Sequence, residues 1–195
     1  MTSIVRAYYL PAESTSTIDA SHPVSVRQLN DLGWNMSPAG GGPNEIEQAG
    51  RKFAQELRFP ITQEGCSVPF HFELERNAAT LAPEMADILR KAAEAKNSEV
   101  CYAKSVVVAV TSGNLQIDVE DVPAAGWVRV HLAAGTLFCI PTGAKYRIPI
   151  NEQIEGTTGN AFFEETISNH GLLVEKEIDS HRARQAYLKE VLGQT

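Results

Sequence analysis

The stretch Gly135-Thr136-Leu137-Phe138-Cys139-Ile140-Pro141-Thr142-Gly143-Ala144-Lys145-Tyr146 decides how this chain is read. Gly135 permits the tight turn that starts it, because a glycine adopts backbone angles closed to other residues. Thr136 to Ile140 is a short apolar run of β-formers, bounded by turn residues on both sides. Pro141 and Gly143 then make a corner that re-aims the chain. Whatever follows at Tyr146 is directed inward from the next strand.

Working outward, the pattern around this corner is one of short strands separated by glycine and proline. Residues 100–110 are valine-rich and end at Thr111-Ser112-Gly113, and strands are expected at 115–119, 127–132, 136–140, 146–150 and 160–166. Strands at this spacing predict an antiparallel barrel or sandwich. The first half predicts mostly helices and loops. A strand is expected at 4–10, and a helix at 25–32 is stopped by Gly33. A helix at 44–57 has Asn44 as its cap, with Glu47 answering in a capping box. A strand follows at 70–75, and a helix at 83–96 has Pro83 in its first turn. The chain closes with a helix at 181–192, stopped by Gly193.

Composition narrows the function classes. The 195 residues are 43% hydrophobic and 21% charged, which is an ordinary globular balance. Lys plus Arg is 17 against 24 Asp plus Glu, a net charge of -7, so no basic surface for nucleic acid is expected. No apolar run is long enough to cross a bilayer, and the N-terminal residues lack the pattern of a signal peptide. Cys66, Cys101 and Cys139 are scattered and odd in number, which fits neither a disulfide framework nor a zinc knuckle. A cytoplasmic protein with a small-molecule substrate, no membrane partner and room for a homodimer is the expectation. The glycine cluster at 40–42 lacks the Gly-Lys-Ser/Thr ending of a phosphate loop, and no Gly-x-Ser-x-Gly elbow or dinucleotide fingerprint is present.

The punctuation of residues 135–146 resembles the second cupin motif, in which a histidine stands where this chain has Tyr146. The first cupin motif ends in a glutamate, six residues and a glycine, with two histidines before the glutamate. Taking Gly113 as that glycine places Val106 at the glutamate and Val100 and Tyr102 at the histidines. A second register takes Glu99 as the glutamate and Ala93 and Ala95 as the histidine positions, at the cost of an insertion in the hairpin. The wider sequence is similar to the acireductone dioxygenases. The opening Val5-Arg6-Ala7-Tyr8-Tyr9, the 23–33 segment, Asp118-Val119-Glu120-Asp121 with Trp127-Val128-Arg129-Val130, and Arg184-Gln185-Ala186-Tyr187-Leu188 carry the similarity.

The resemblance implies a mainly β fold with flanking helices, a cupin-type antiparallel β-barrel or jelly roll. It implies one cupin domain over 1–195, with an N-terminal strand and helices at 1–97, the barrel core at 98–166 and a C-terminal segment at 167–195. It also implies an iron or nickel centre held by three histidines and a glutamate. The matching positions, Val100, Tyr102, Val106 and Tyr146, supply neither imidazole nor carboxylate, so no cofactor and no metal ligand are assigned. Valine has no lone pair to give, and a neutral phenol is a poor ligand for a divalent metal.

What remains is an apolar pocket with two phenols. Val100, Val106, Val108 and Ile148 are expected to line it. Tyr102 and Tyr146 are the candidate catalytic hydrogen-bond donors, Lys104 a candidate base or anion holder on the same strand face, and His131 the reserve acid–base group. The leading expectation is a metal-independent isomerase, cyclase or lyase acting on a small unsaturated or aromatic metabolite. A non-catalytic small-molecule or interaction protein, and a dioxygenase with a rebuilt metal site, are the alternatives. His71 with Glu73 and Glu75 alternates on one strand face and is read as a polar face rather than a ligand set. Cys101 is expected to face away from the barrel interior as an inert thiol.

Overall fold

A computed structural model describes residues 5–11, 22–61, 65–72, 99–149, 152–166 and 171–193. Its frame is two antiparallel sheets face to face. The first has the order β12-β5-β10-β7-β8-β1-β2 and the second β3-β9-β6-β11-β4. Here β1 is Val5–Tyr9, β2 Pro23–Val24, β3 Met36–Pro38 and β4 Ser67–His71. The barrel motifs supply β5 (Val100–Tyr102), β6 (Val106–Ser112), β7 (Asn114–Asp121), β8 (Gly126–Ala133), β9 (Thr136–Ile140) and β10 (Lys145–Arg147). β11 is Thr158–Phe163 and β12 Leu172–Val174, with a 3-10 turn at Glu152–Ile154 between β10 and β11. The helices are α1 (Val26–Asp31), α2 (Pro43–Glu56), α3 (Lys176–Ser180) and α4 (Arg182–Val191).

The valine run shows why the sequence folds this way. Val106, Val108 and Val110 point between the sheets into the main core, while Val107 and Ala109 point the other way into a second cluster. That second cluster forms under α2, where Ile46, Ala54 and the partly buried Phe53 meet Leu137 and Phe162. A strand covered on both faces must be apolar on both, so β6 is a continuous run rather than an alternating one.

The run does not continue as one strand over 100–110, as expected from its composition. It breaks at residues 103–105, where the chain leaves the first sheet and enters the second. β5 pairs with β10 and β12, whereas β6 pairs with β9 and β11. The expected strand at 146–150 is likewise shorter, ending at Arg147.

One local correction has a simple cause. α2 is capped by Gly42 rather than Asn44, because Pro43 fits the first helical position, where no N–H is required. The Glu45 carboxylate then accepts from the Gly42 N–H at 3.0 Å. The expected helix at 181–192 forms as α4, capped by His181, whose ring nitrogen accepts from the Ala183 N–H, with the short α3 ahead of it. The helix at 25–32 forms with the reciprocal Ser25–Gln28 capping box. The expected helix at 83–96 lies outside the described residues.

The Pro141–Gly143 corner is held by close approach. Gly143 has φ 81°, and a side chain there would meet the Ala183 carbonyl oxygen at 2.3 Å. Its N–H donates to the Tyr102 carbonyl at 2.9 Å, tying the corner to β5. Arg184 of α4 donates to the Gly143 carbonyl, and Tyr187 donates to the Leu32 carbonyl at 2.9 Å. The corner therefore sits under α4 and fixes the start of β10, which carries Tyr146.

Candidate active-site cavity

Tyr146 and Tyr102 face each other in the space between the sheets. Tyr146 is paired across the ladder with Val100 on β5 and Val119 on β7. The Tyr102 and Tyr146 rings stack at 5.8 Å between centroids and 29° between planes. The edge of Trp34 meets Tyr146 at 6.0 Å, and Phe163 meets Tyr102 edge-on at 6.3 Å. Such arrangements suit the quadrupoles of the rings and fix both phenols.

Burial pushes the Tyr102 hydroxyl up to about 12, and a hydrogen bond from Tyr146 partly offsets this. Burial also holds Tyr146 well above the usual phenol range, and its proximity and hydrogen bond to Tyr102 add to the rise. Both are neutral phenols near neutral pH. They can donate a hydrogen bond, but they are not phenolate bases or anionic ligands.

The pair borders an interior cavity of about 60 Å³. Val106 and Val108 of β6 and Phe138 and Ile140 of β9 form the opposite wall. Phe70, Phe72, Phe163 and the half-buried Ile148 close the sides. Among the described residues, every side chain on this wall is hydrocarbon except for the two hydroxyls. The aromatic share of the wall was not anticipated. The alternation of Val68, Phe70 and Phe72 was its available signal, since a period of two places all three on one face.

Three expected site residues lie elsewhere. Val100 is fully buried in the same core but does not border the cavity; the longer Tyr102 side chain is what β5 presents there. Lys104 pairs with Glu165 and is 38% exposed. Its placement beside Tyr102 required β5 to continue, and the strand ends at Tyr102. His131 is on the opposite side of its sheet, because Val128, Val130 and Leu132 are the β8 residues that enter the core. The Gln116 side-chain amide donates to His131 Nδ1 at 3.1 Å and also to Gln153. Burial, with help from Arg6 and Arg129, lowers the His131 pKa and favours the neutral ring.

Glu99, the carboxylate of the second register, also fails to reach the interior. It accepts from Arg147 at 2.7 Å and lies 3.9 Å from Lys145 on the outer side of the sheet. Ala93 and Ala95 lie outside the described residues, as do Glu73 and Glu75. His71 ends β4 opposite Thr158. Cys101 is buried, and burial raises its thiol to about 12, so it is not a thiolate nucleophile at neutral pH.

Two packed antiparallel sheets, the glycine–proline corner and the apolar cavity between the sheets define a cupin-type barrel. No family model matches the chain, and no curated protein matches it. Among solved structures it is similar to acireductone dioxygenase from Bacillus anthracis with cadmium ion in its active centre, with a TM-score of 0.51 and 11% identity. The likeness covers 91% of this chain and 96% of that one, so the chain has the acireductone dioxygenase-like cupin fold.

The described residues of the barrel do not fit a metal ion such as the cadmium of that structure. The four positions that the motif spacing of the sequence sets at the ligands are Val100, Tyr102, Val106 and Tyr146, two hydrocarbons and two buried neutral phenols. Among the described residues, no three His, Cys, Asp or Glu side chains converge on a point that could hold a metal ion. No described helix is long and apolar enough to cross a membrane.

Proposed function

We propose that this protein is a metal-independent cupin that takes a small, largely apolar metabolite into the barrel and polarises one of its oxygens between Tyr102 and Tyr146. The observation that carries this reading is the stacked phenol pair in a cavity otherwise walled by hydrocarbon. A carbonyl oxygen placed between the hydroxyls accepts their hydrogen bonds. Those bonds strengthen as negative charge develops on it, in an environment from which water is excluded. Isomerisation, cyclisation and dehydration adjacent to a carbonyl all develop such charge, and none needs oxygen or a redox metal. A donor of this kind contributes about 2–4 kcal/mol at the transition state.

The test is turnover of small enones and hydroxyketones with and without chelator, in the native protein and in Tyr102→Phe and Tyr146→Phe. Unchanged turnover in chelator, with a loss of about a hundredfold in each variant, is the expected result. Loss of activity in chelator, restored by iron or nickel, would overturn the reading in favour of a dioxygenase with a rebuilt site.

One observation favours a second reading, binding without turnover. Lys104 and His131, the side chains expected to move protons, lie outside the cavity. Among the described wall residues the phenols alone can exchange a proton, so a substrate lacking its own basic group would be held and not converted.

A further inference from the structure

The cavity also restricts the charge and size of what it can hold. Among the described residues its wall offers the two phenol hydroxyls and no cation. The nearby basic residues are committed on the outside: Lys104 to Glu165, Arg147 to Glu99, and Arg129 to Asp118 with both oxygens engaged at 2.7 and 2.8 Å. A carboxylate or phosphate entering this space would shed its water without gaining a counter-charge, a cost of several kcal/mol for an ion in an apolar interior.

Size acts in the same direction. The cavity of about 60 Å³ is less than half the roughly 150 Å³ of an apolar cavity that accepts benzene. A six-membered ring therefore requires wall side chains to move, whereas a molecule of roughly four or five non-hydrogen atoms fits with modest adjustment of the rim at Ile148.

Resting on the pocket reading above, we infer that the barrel selects a neutral carbonyl compound of this small size, with its oxygen toward Tyr102 and Tyr146, and rejects the carboxylate of equal size. This narrows the expected aromatic or unsaturated metabolite to a short-chain ketone, aldehyde or enone.

The experiment compares three probes on the intact protein: butanone labelled with ¹³C at the carbonyl, propionate at pH 7, and xenon. Carbonyl chemical shift and line broadening report the first two, and xenon shift the third. Xenon and butanone should both enter, propionate should bind at least tenfold more weakly than butanone, and Tyr102→Phe should weaken butanone about tenfold while leaving xenon unchanged. Val108→Phe, which fills the cavity, should abolish entry of both. If that variant fails to fold, the Tyr102→Phe and Tyr146→Phe results decide alone. Propionate binding as tightly as butanone, or butanone binding indifferent to both tyrosines, overturns the selection inferred here while leaving a pocket in place. Exclusion of both xenon and butanone overturns the pocket reading itself.

Discussion

The two faces of the first sheet are built from alternate residues of the same strands, and they could hardly differ more. Inward, β7, β8 and β10 present Ile117, Val119, Val128, Val130 and Tyr146. Outward, the same strands present Asp118, Arg129 and Arg147 in one cross-strand row. Arg129 grips Asp118 through two parallel hydrogen bonds, with 7% and 3% side-chain exposure. Arg147 lies over the Trp127 ring at 3.6 Å and reaches Glu99. Charge density is therefore a poor guide to the candidate site in this molecule. The ionic groups satisfy one another on the outer wall, and the chemistry inside rests on two hydroxyls.

That contrast can be broken first on the outer face. Asp118→Ala removes the carboxylate that engages the buried Arg129 guanidinium at two points, and about 3–5 kcal/mol of stability should be lost. Denaturant unfolding measures it, and Asp118→Asn, which keeps one acceptor, should cost less. Ligand entry to the cavity should survive in whatever fraction stays folded.

Inside, the effect should appear in function more than in stability. Tyr102→Phe and Tyr146→Phe each remove one hydroxyl from the stacked pair, at about 1 kcal/mol of stability. Each should lower kcat by about a hundredfold. A double-mutant cycle should show strong coupling, since the hydroxyls are hydrogen-bonded to each other. Additive losses would separate them into independent structural tyrosines.

Alkaline pH sharpens the comparison without mutation. Burial raises Tyr102 to about 12 and places Tyr146 and Tyr187 above the usual phenol range, and a hydrogen bond to Asp121 raises Tyr9 to about 12. The unfolded chain loses these protons near pH 10 while the folded chain keeps them. Folding stability from these groups is thus full below about pH 10 and falls as pH rises toward 12 and beyond. Absorbance at 295 nm should show Tyr9, Tyr102, Tyr146 and Tyr187 still un-ionised in the native protein at about pH 10.5, and titrating near pH 10 in guanidinium.

The smallest effect is expected at Lys104. Its pair with Glu165 is half in solvent, so Lys104→Met should change stability by less than about 1 kcal/mol and leave ligand binding untouched. A large loss of binding would return Lys104 to the site.

The twelve residues from Gly135 to Tyr146 were legible because turn chemistry is local. Glycine and proline restrict the backbone wherever they stand, and β9 begins and ends where that punctuation places it. The helix at 25–32 was legible for the same reason, since Gly33 stops it locally, and the structure adds its Ser25 cap, whose partner is three residues away. The inward parity of Tyr102, Val106, Val108 and Tyr146 followed from the period of two. Lys104 and His131 could not be placed in this way. Whether Lys104 joins the face of Tyr102 depends on where β5 stops, which is set by the crossing from one sheet to the other. Which side of β8 faces the core depends on the register with β7 and β1, and the partners of His131 there, Gln116 and Arg6, are more than ten residues distant. Residue types along the chain thus determined strand boundaries at the turns and an interior of hydrocarbon and phenol. Long-range pairing decided the rest: which basic groups are held outside by carboxylates, how close the two phenols stand, and how little space is left between them.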